Sequence, residues 1–203
     1  MEKGVRIEKD RTATEKKLLE TIGKMIAEKG FEKIGINAVS AQSGVSKILI
    51  YRYFGSVEGL MAAYIRQHDF WINFPFQILK REELADFLKN MFRQQMEHLY
   101  NDPILKRLSR WELSSKNAMI DELCRQREQT GLRLIETVSK LANRSQKEVA
   151  ALATIISASV TYLVMLEDFC SEYNGIPLNK KDGWDQICNG IDLIIDQWLE
   201  PTL

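Results

Sequence analysis

Residues 36–54 contain two short helical patterns separated by a glycine turn, and no other stretch constrains the fold of this chain as strongly. The first pattern stops at Gly44, because glycine accepts the left-handed backbone that a tight turn between helices requires. Val45 is expected to be buried, and Ser46 can cap the second helix by accepting hydrogen bonds from its free N–H groups. A helix, a short turn and a capped second helix form a helix-turn-helix.

The second helix of this motif is expected to present side chains to DNA, since its N-terminal part enters the major groove. Ile50 and Phe54 share one face and should point inward. Lys47 and Arg52 are cationic, and Ser46 combines a capping position with a phosphate contact. The predicted DNA-binding residues are Ser46, Lys47, Ile48, Leu49, Tyr51, Arg52 and Tyr53. A helical hairpin without any nucleic-acid role is the alternative interpretation.

The motif and its flanks resemble the N-terminal DNA-binding domain of the TetR family of transcriptional regulators, over residues 12–65. The residues that carry the resemblance are Gly30-Phe31, Val39-Ser40, Ser43-Gly44-Val45-Ser46, Tyr51-Arg52-Tyr53-Phe54 and Glu58–Leu60. The resemblance implies that one of Tyr51 and Tyr53 contacts the phosphate backbone while the other packs. It also implies that the helix after the motif transmits a ligand signal, and that the last two helices form a four-helix interface in a homodimer.

The chain departs from the pattern of this family at four positions. Gly35 stands where a phosphate-contacting Thr is common, Ile48 and Leu49 replace a small residue and a Thr, and Val57 replaces a Lys. Apolar side chains cannot donate to phosphate or base edges, but they can contact the methyl group of thymine. Either the operator is read largely by apolar contact and shape, or DNA binding is weakened. We expect binding to be retained, because the positions that carry the fold and Arg52 are intact.

Helical periodicity prevails along all 203 residues and no strand-like alternation is sustained, so the sequence predicts an all-α fold. We expect an N-terminal three-helix helix-turn-helix domain followed by a C-terminal bundle of about six helices. The DNA-binding domain should span residues 1–55, and the ligand-binding and dimerisation domain residues 56–203. Residues 1–11 are charged and non-periodic and are predicted to be a mobile arm, and Thr12 and Glu15 have the spacing of a capping box that opens the first helix.

The same patterns predict the inner residues and the caps of other helices. The inner stripe of the first helix should consist of Leu18, Ile22, Met25 and Ile26, and that of the fourth helix of Leu60, Met61, Tyr64 and Ile65. Ser56 should cap the fourth helix, and Ser145 and Glu148 should form a capping box at the start of the eighth. Asn174-Gly175 and Pro177 should form the connection to the last helix.

Charge is distributed unevenly although the formal net charge is zero. Residues 1–54 carry 11 Lys and Arg against 7 Asp and Glu, a balance of +4, which leaves 17 against 21, a balance of −4, for residues 55–203. A cationic head on an anionic body suits a protein that touches phosphate with one end only. Because the excess is modest, non-specific DNA binding should be weak.

Few residues suggest an enzyme or a metal site. His68 and His98 are the two histidines, and neither has a Cys or a second His at ligand spacing. No glycine-rich phosphate loop and no nucleophile elbow occur in the sequence. Cys124, Cys170 and Cys188 are widely spaced and odd in number, which favours inert thiols in a reduced cytoplasm over disulfides or zinc. We predict a non-enzymatic cytoplasmic protein without a cofactor or a metal.

Residues 150–166 form an uncharged segment whose length is close to the lower limit for a membrane span. The segment is rich in Ala, Ser and Thr, is followed by Glu167 and Asp168, and lacks aromatic belts. We therefore expect a helix buried between other helices rather than a membrane span.

The C-terminal domain has two predicted uses for its apolar surface, an effector cavity among helices four to eight and a dimer interface on the last two helices. The candidate cavity residues are the apolar Trp71, Phe74, Phe76, Trp111, Met119 and Tyr162 and the polar His98, Ser115 and Asn117. The candidate dimer residues are Ile155, Ser159, Tyr162, Trp184, Ile187, Ile191, Ile194 and Trp198.

These observations predict a ligand-responsive, homodimeric regulator that binds double-stranded DNA. The expected mode is a repressor released from a palindromic operator by a small lipophilic effector, through a shift between two populated states. The alternative is a helical protein-interaction module of the same fold with weakened or lost DNA binding. A small-molecule-transforming enzyme is a third class, which turnover of a bound ligand would reveal.

Overall fold

A computed structural model describes residues 2–31, 34–75, 80–114 and 118–200, with side chains from residue 10 onward. Within these ranges most of the chain is α-helical, which confirms the predicted all-α class. The α-helices are α1 (Glu2–Lys29), α2 (Ile36–Ser43), α3 (Lys47–Phe54), α4 (Val57–His68), α5 (Leu84–Tyr100), α6 (Pro103–Ser114), α7 (Ala118–Ala142), α8 (Gln146–Leu166) and α9 (Lys181–Leu199). A short 3-10 helix at Arg81–Glu83 precedes α5.

A small antiparallel hairpin, β1 (Glu172–Tyr173) and β2 (Ile176–Pro177), lies between α8 and α9. Its turn has Asn174 and Gly175 at positive φ, the backbone that a two-residue hairpin turn requires. The sequence predicted only a connection here, because strands of two residues are too short to produce a visible alternation.

The helices belong to two compact units. The first unit is Met1–Asn73 with Pro103–Gln126, and the second is Phe74–Asp102 with Arg127–Leu203. This division by packing differs from the division by function at residue 55, which stays a prediction.

In the first unit, α1 packs against α2, α4 and α6, and α3 packs against α2 and α4. The inner stripe of α1 is completely buried, as the sequence predicted, and consists of Leu18, Ile22, Met25 and Ile26. The inner residues of α4 are also buried as predicted, and are Leu60, Met61, Tyr64 and Ile65. Burial of each such side chain contributes roughly 1.5–3 kcal/mol, so this core holds the helix-turn-helix in place.

Helix α1 begins at Glu2, so the prediction that a capping box at Thr12 opens this helix is wrong. Thr12 lies inside the helix rather than at its start, and the Arg11 Nε atom donates to Glu15 Oε1 at 2.7 Å across one turn. The charged residues before Thr12 include several Glu, Lys and Arg, which have good helix propensity, so the helix continues through the apparent capping box.

In the second unit, α5 packs against both α8 and α9. Val164, Leu178 and Trp184 form a buried cluster in which the Trp184 Nε1–H donates to the Leu178 carbonyl at 2.6 Å. Two ion pairs join α5 to α9, one between Arg93 and Asp192 and one between Lys89 and Asp196.

Helix α8 starts with the predicted capping box. The Ser145 hydroxyl accepts from the Glu148 N–H at 3.2 Å, and Glu148 Oε2 accepts from the Ser145 N–H at 2.9 Å. The Ser145 hydroxyl also donates to Glu148 Oε2 at 2.8 Å, and this hydrogen bond together with that from the Ser145 N–H lowers the pKa of Glu148.

Helix α8 is buried on one side only in the single chain. Its buried residues are Val149, Ile156, Val160 and Val164, whereas Ala151, Ile155, Ala158 and Tyr162 are exposed. The prediction that the whole helix is buried between its neighbours is therefore wrong for its outer face. Among the described helices, α8 is the one that is long and apolar enough to cross a membrane by length and composition.

Candidate nucleic-acid interface

The turn of the helix-turn-helix is fixed by glycine and by two serine side chains. Gly44 has a φ of 66°, and its N–H donates to the Ser40 carbonyl at the end of α2. The Ser40 hydroxyl donates to the Val45 carbonyl at 2.8 Å, and the Val45 N–H donates to Ser43 Oγ at 3.1 Å. The sequence predicted the glycine turn and the buried Val45, but it did not reveal that both serines fasten the turn.

Helix α3 is fixed by a buried side chain on its inner face and by a close junction with α4 at its C-terminal end. Ile50 is completely buried, as predicted, while Phe54 is only half-buried. The Ser56 hydroxyl accepts from the Gly59 N–H at 3.0 Å and caps α4, which confirms Ser56 as a cap. A Cβ atom on Gly59 would lie 1.9 Å from the Phe54 carbonyl oxygen, so only glycine allows α4 to approach the end of α3 this closely.

Four side chains form the exposed surface of α3, which we call its outer face: Lys47, Ile48, Tyr51 and Arg52. Ile48 is 77% exposed and Tyr51 is 53% exposed, whereas Leu49 is half-buried. No Asp or Glu occurs from residue 34 to residue 57, so the motif itself carries positive charge only. This combination suits contact with the phosphates and base edges of DNA.

The two tyrosines of α3 have different surroundings. Tyr53 is half-buried, and the guanidinium carbon of Arg11 lies 5.2 Å from the centre of its ring. The hydrogen bond that Arg11 donates to Glu15 raises the pKa of Arg11, and its charged guanidinium lies over the Tyr53 ring. Tyr53 thus packs on α1 while Tyr51 is open to solvent.

Ser46 takes the backbone geometry of an N-cap, with φ −64° and ψ 146°, but its side chain makes no capping hydrogen bond. Ser46 therefore lies at the predicted N-cap position, but the prediction that its hydroxyl caps the helix is wrong.

Val57 and Gly35 stand at positions where phosphate-contacting side chains are common, and neither can make such a contact. Val57 is buried in the first unit, and Gly35 has no side chain to donate.

The candidate dimer residues separate into an exposed and an interior group. Ile155, Ser159, Tyr162 and Ile194 are exposed, whereas Ile187, Ile191 and Trp198 are half-buried. Trp184 is 3% exposed and lies in the core of its own unit, so the structure corrects its assignment to an interface. Leu193, which the sequence prediction did not include, is 63% exposed on α9.

The candidate cavity residues lie in both units. Trp71, Trp111 and Met119 belong to the first unit, where Trp111 stacks on Phe31 with ring centres 5.1 Å apart and Met119 is buried. Phe74, His98 and Tyr162 belong to the second unit, where Phe74 is buried beside Phe87 and both His98 and Tyr162 are exposed. Phe76, Ser115 and Asn117 lie outside the described residues, and the effector cavity stays a prediction.

Gln95 is a buried polar residue that sequence reasoning missed. Its side-chain amide donates to Ser157 Oγ at 2.9 Å and to Thr161 Oγ1 at 3.2 Å, which ties α5 to α8. A polar residue within the apolar stripe of Met91 and Phe92 was the available signal.

Among the residues that the structure describes, no group of three or more His, Cys, Asp or Glu is placed to hold a metal ion. The three thiols differ in their surroundings. Cys124 and Cys170 are exposed, whereas Cys188 is buried, and its burial raises the pKa of the thiol. A raised pKa lowers the thiolate fraction of Cys188, which fits the inert thiol predicted there, whereas the exposed Cys124 and Cys170 lack this burial.

Comparison with known proteins agrees with this geometry. Residues 18–64 match the family model of the bacterial regulatory proteins of the tetR family. No curated protein sequence matches the chain significantly.

Among solved structures, a candidate fatty acid metabolism regulator of Clostridium perfringens has a TM-score of 0.60 at 20% identity, with 92% of this chain and 100% of that chain covered. A TetR-like transcriptional regulator from Rhodococcus sp. RHA1 has a TM-score of 0.52 at 18% identity, with 93% and 97% covered. A TetR-family regulator from Streptomyces coelicolor has a TM-score of 0.50 at 15% identity, with 92% and 97% covered.

At these identities the solved structures establish the fold alone, and the match over residues 18–64 covers the helix-turn-helix described above. Residues 18–64 therefore match the DNA-binding domain of the bacterial tetR family, and the chain as a whole shares the fold of solved regulators of this kind.

Proposed function

We propose that this regulator is a homodimeric repressor that leaves a palindromic operator when a small lipophilic effector binds. The observation that carries the proposal is the outer face of α3, where Lys47, Tyr51 and Arg52 surround Ile48 on a helix fastened to the core by Ile50. The cations bind phosphate and position the helix, and the first turn lies in the major groove.

The apolar outer surfaces of α8 and α9 support the dimer. Ile155 is 64% exposed on α8 and Leu193 is 63% exposed on α9, and burial of such side chains against a second copy stabilises the pair. A two-fold dimer presents two copies of α3 to half-sites about 34–36 Å apart, which requires a palindromic operator.

The apolar interior of the second unit supports a lipophilic effector. Met91, Phe92 and Met96 lie on α5, and methionine side chains adapt readily to apolar ligands of different shape. The Clostridium perfringens neighbour, which shares the fold, is described as a candidate regulator of fatty acid metabolism. A ligand of that apolar kind is the class we propose here.

Helix α4 connects the motif to the start of α7. It begins at the cap formed by Ser56, directly after α3, and near its other end Arg66 Nε donates to Gln126 Oε1 at 3.0 Å. Gln126 in turn donates to Glu122 Oε1 at 2.7 Å. An effector that favours a different position of α7 would therefore displace α4 and change the spacing of the two α3 helices.

Selection from a random-sequence duplex library at low and moderate salt tests the proposal. The full-length protein should enrich a palindrome, and Lys47→Ala and Arg52→Ala should both weaken binding and reduce its salt dependence. Arg133→Ala is the matched control, because Arg133 is an exposed cation on α7, outside the motif. Lipophilic compounds that bind the protein but never change operator affinity would contradict the effector part of the proposal.

The departures from the family pattern favour a second function, a protein-interaction module that no longer binds DNA. Buried Val57 and side-chain-free Gly35 cannot supply the phosphate contacts common at those positions, and Ile48 places an apolar group on the surface. The absence of any salt-dependent DNA association at low ionic strength would favour this alternative.

A further inference from the structure

Ile48 is an aliphatic side chain that the fold does not use. It lies in the first turn of α3 and is 77% exposed, while Ile50 supplies the contact between α3 and the core. Leaving such a side chain in water forgoes most of the stabilisation that its burial would give. Its position, at the part of a recognition helix that reaches base edges, points to a use in binding.

The rest of α3 restricts what this helix can read. Its eight residues include no Asn or Gln, the side chains that pair with adenine, and no Asp or Glu, which accept from the amino group of cytosine. Lys47 and Arg52 can donate to guanine or phosphate. Thymine is the one base with a methyl group in the major groove, and an apolar side chain contacts it favourably.

We infer that Ile48 determines operator specificity by contacting the 5-methyl group of a thymine in each half-site. This inference rests on the proposed DNA-binding function and adds the identity of one base to it. Leu49 is a weaker candidate, because it is half-buried, and Tyr51 carries a hydroxyl that suits phosphate. Lys47, beside Ile48 in the first turn, supplies the charge that holds this turn near the DNA backbone.

The test uses the full-length protein and its enriched operator, in which single thymine methyl groups are removed from the DNA. Each thymine of a half-site is replaced in turn by deoxyuridine, which removes the methyl group and leaves the hydrogen-bonding edge unchanged. At one position the wild-type affinity should fall about fourfold, the effect of one buried methyl group, and about sixteenfold when both half-sites are changed. Ile48→Ala should bind the thymine and deoxyuridine operators equally.

In a second series of operators, the methyl group is kept and the hydrogen-bonding edge of the base is changed. Replacing the same T·A pair by 5-methylcytosine·guanine should be tolerated better by the wild type than replacement by cytosine·guanine, and Ile48→Ala should not distinguish the two. Leu113→Ala is the matched control, since Leu113 is 79% exposed on α6, and it should retain the wild-type response to deoxyuridine. Circular dichroism and thermal unfolding of each variant establish that it is folded.

The outcomes separate the inference from the function on which it rests. Salt-dependent operator binding without any position sensitive to deoxyuridine, or with equal sensitivity in wild type and Ile48→Ala, would overturn the inference and leave DNA binding intact. Failure to enrich any operator would overturn the proposed function and the inference with it.

Discussion

Ser46 and Ser56 occupy equivalent backbone positions at the starts of α3 and α4, but their hydroxyl groups make different contacts. Ser56 Oγ accepts from the Gly59 N–H, whereas the Ser46 side chain makes no capping hydrogen bond. Ser46 is exposed at the end of α3 that we propose faces DNA, where its hydroxyl can donate to a phosphate.

We predict opposite consequences for the two alanine variants. Ser56→Ala should lower the free energy of unfolding by about 1 kcal/mol, the typical effect of a lost N-cap, as measured by chemical denaturation. Ser46→Ala should leave stability nearly unchanged and weaken operator binding. Equal destabilisation by both substitutions would mean that Ser46 caps α3 in solution.

At the scale of single residues, the sequence predicted which side chains are buried better than it predicted the contacts that they make. Ile50, Val45 and the inner residues of α4 were assigned correctly to the core, because helical spacing and a known motif place them. Helical spacing cannot show that Ser40 and Ser43 hydrogen-bond across the turn or that Arg11 lies over Tyr53. These contacts depend on how neighbouring helices pack, which the spacing within one helix does not contain.

At the scale of elements, the junction of α3 and α4 depends on Gly59. A Cβ atom there would meet the Phe54 carbonyl oxygen at 1.9 Å, and a backbone atom cannot rotate away as a side chain can. Gly131, in the middle of α7, has no atom within 4 Å of the position of a Cβ. The two glycines therefore form a matched pair, one required by packing and one not.

Gly59→Ala is predicted to destabilise the protein by about 1–3 kcal/mol, as overpacking does, and to weaken operator binding by displacing α3. Gly131→Ala should be neutral or stabilising by up to about 1 kcal/mol, because alanine has the higher helix propensity. Thermal unfolding and operator titration of both variants provide the measurement. A stable Gly59→Ala protein with unchanged operator affinity would show that α4 can shift without consequence for α3.

The ends of α2 and α3 were predictable because a glycine marks each of them with a required backbone geometry. Gly44 and Gly55 have φ values of 66° and 74°, in the left-handed region. The start of α1 was not predictable in the same way, since the Thr12 and Glu15 spacing occurs inside a helix as well as at its beginning. A residue spacing that requires no particular backbone conformation is therefore a weaker indicator of a helix boundary than a glycine at positive φ.

At the scale of the whole molecule, the sequence identified α8 and α9 as apolar but could not assign their residues to the inside or to a partner. Trp184 and Ile194 both fit the periodic stripe of α9, yet Trp184 is buried beside Leu178 and Ile194 is exposed. Periodicity defines one face of a helix, whereas the neighbours that cover this face are a property of the assembled fold.

The exposed apolar surfaces lead to a prediction about assembly. Ile155→Glu on α8 and Leu193→Glu on α9 should each convert a dimer to a monomer, because a partner would bury an unpaired carboxylate. Sedimentation velocity at several protein concentrations measures the change. Leu132→Glu is the matched control, since Leu132 is 54% exposed on α7, and this variant should remain dimeric.

Loss of the dimer should also appear in DNA binding. A monomer contacts one half-site, so either variant should bind the full palindrome no better than a single half-site, while the wild type and Leu132→Glu should prefer the palindrome strongly. Monomeric variants that keep the preference for the palindrome would separate dimerisation in solution from assembly on the operator. Variants that stay dimeric would mean that the outer surfaces of α8 and α9 are not the interface, and the pairing would then have to involve another exposed surface of the chain.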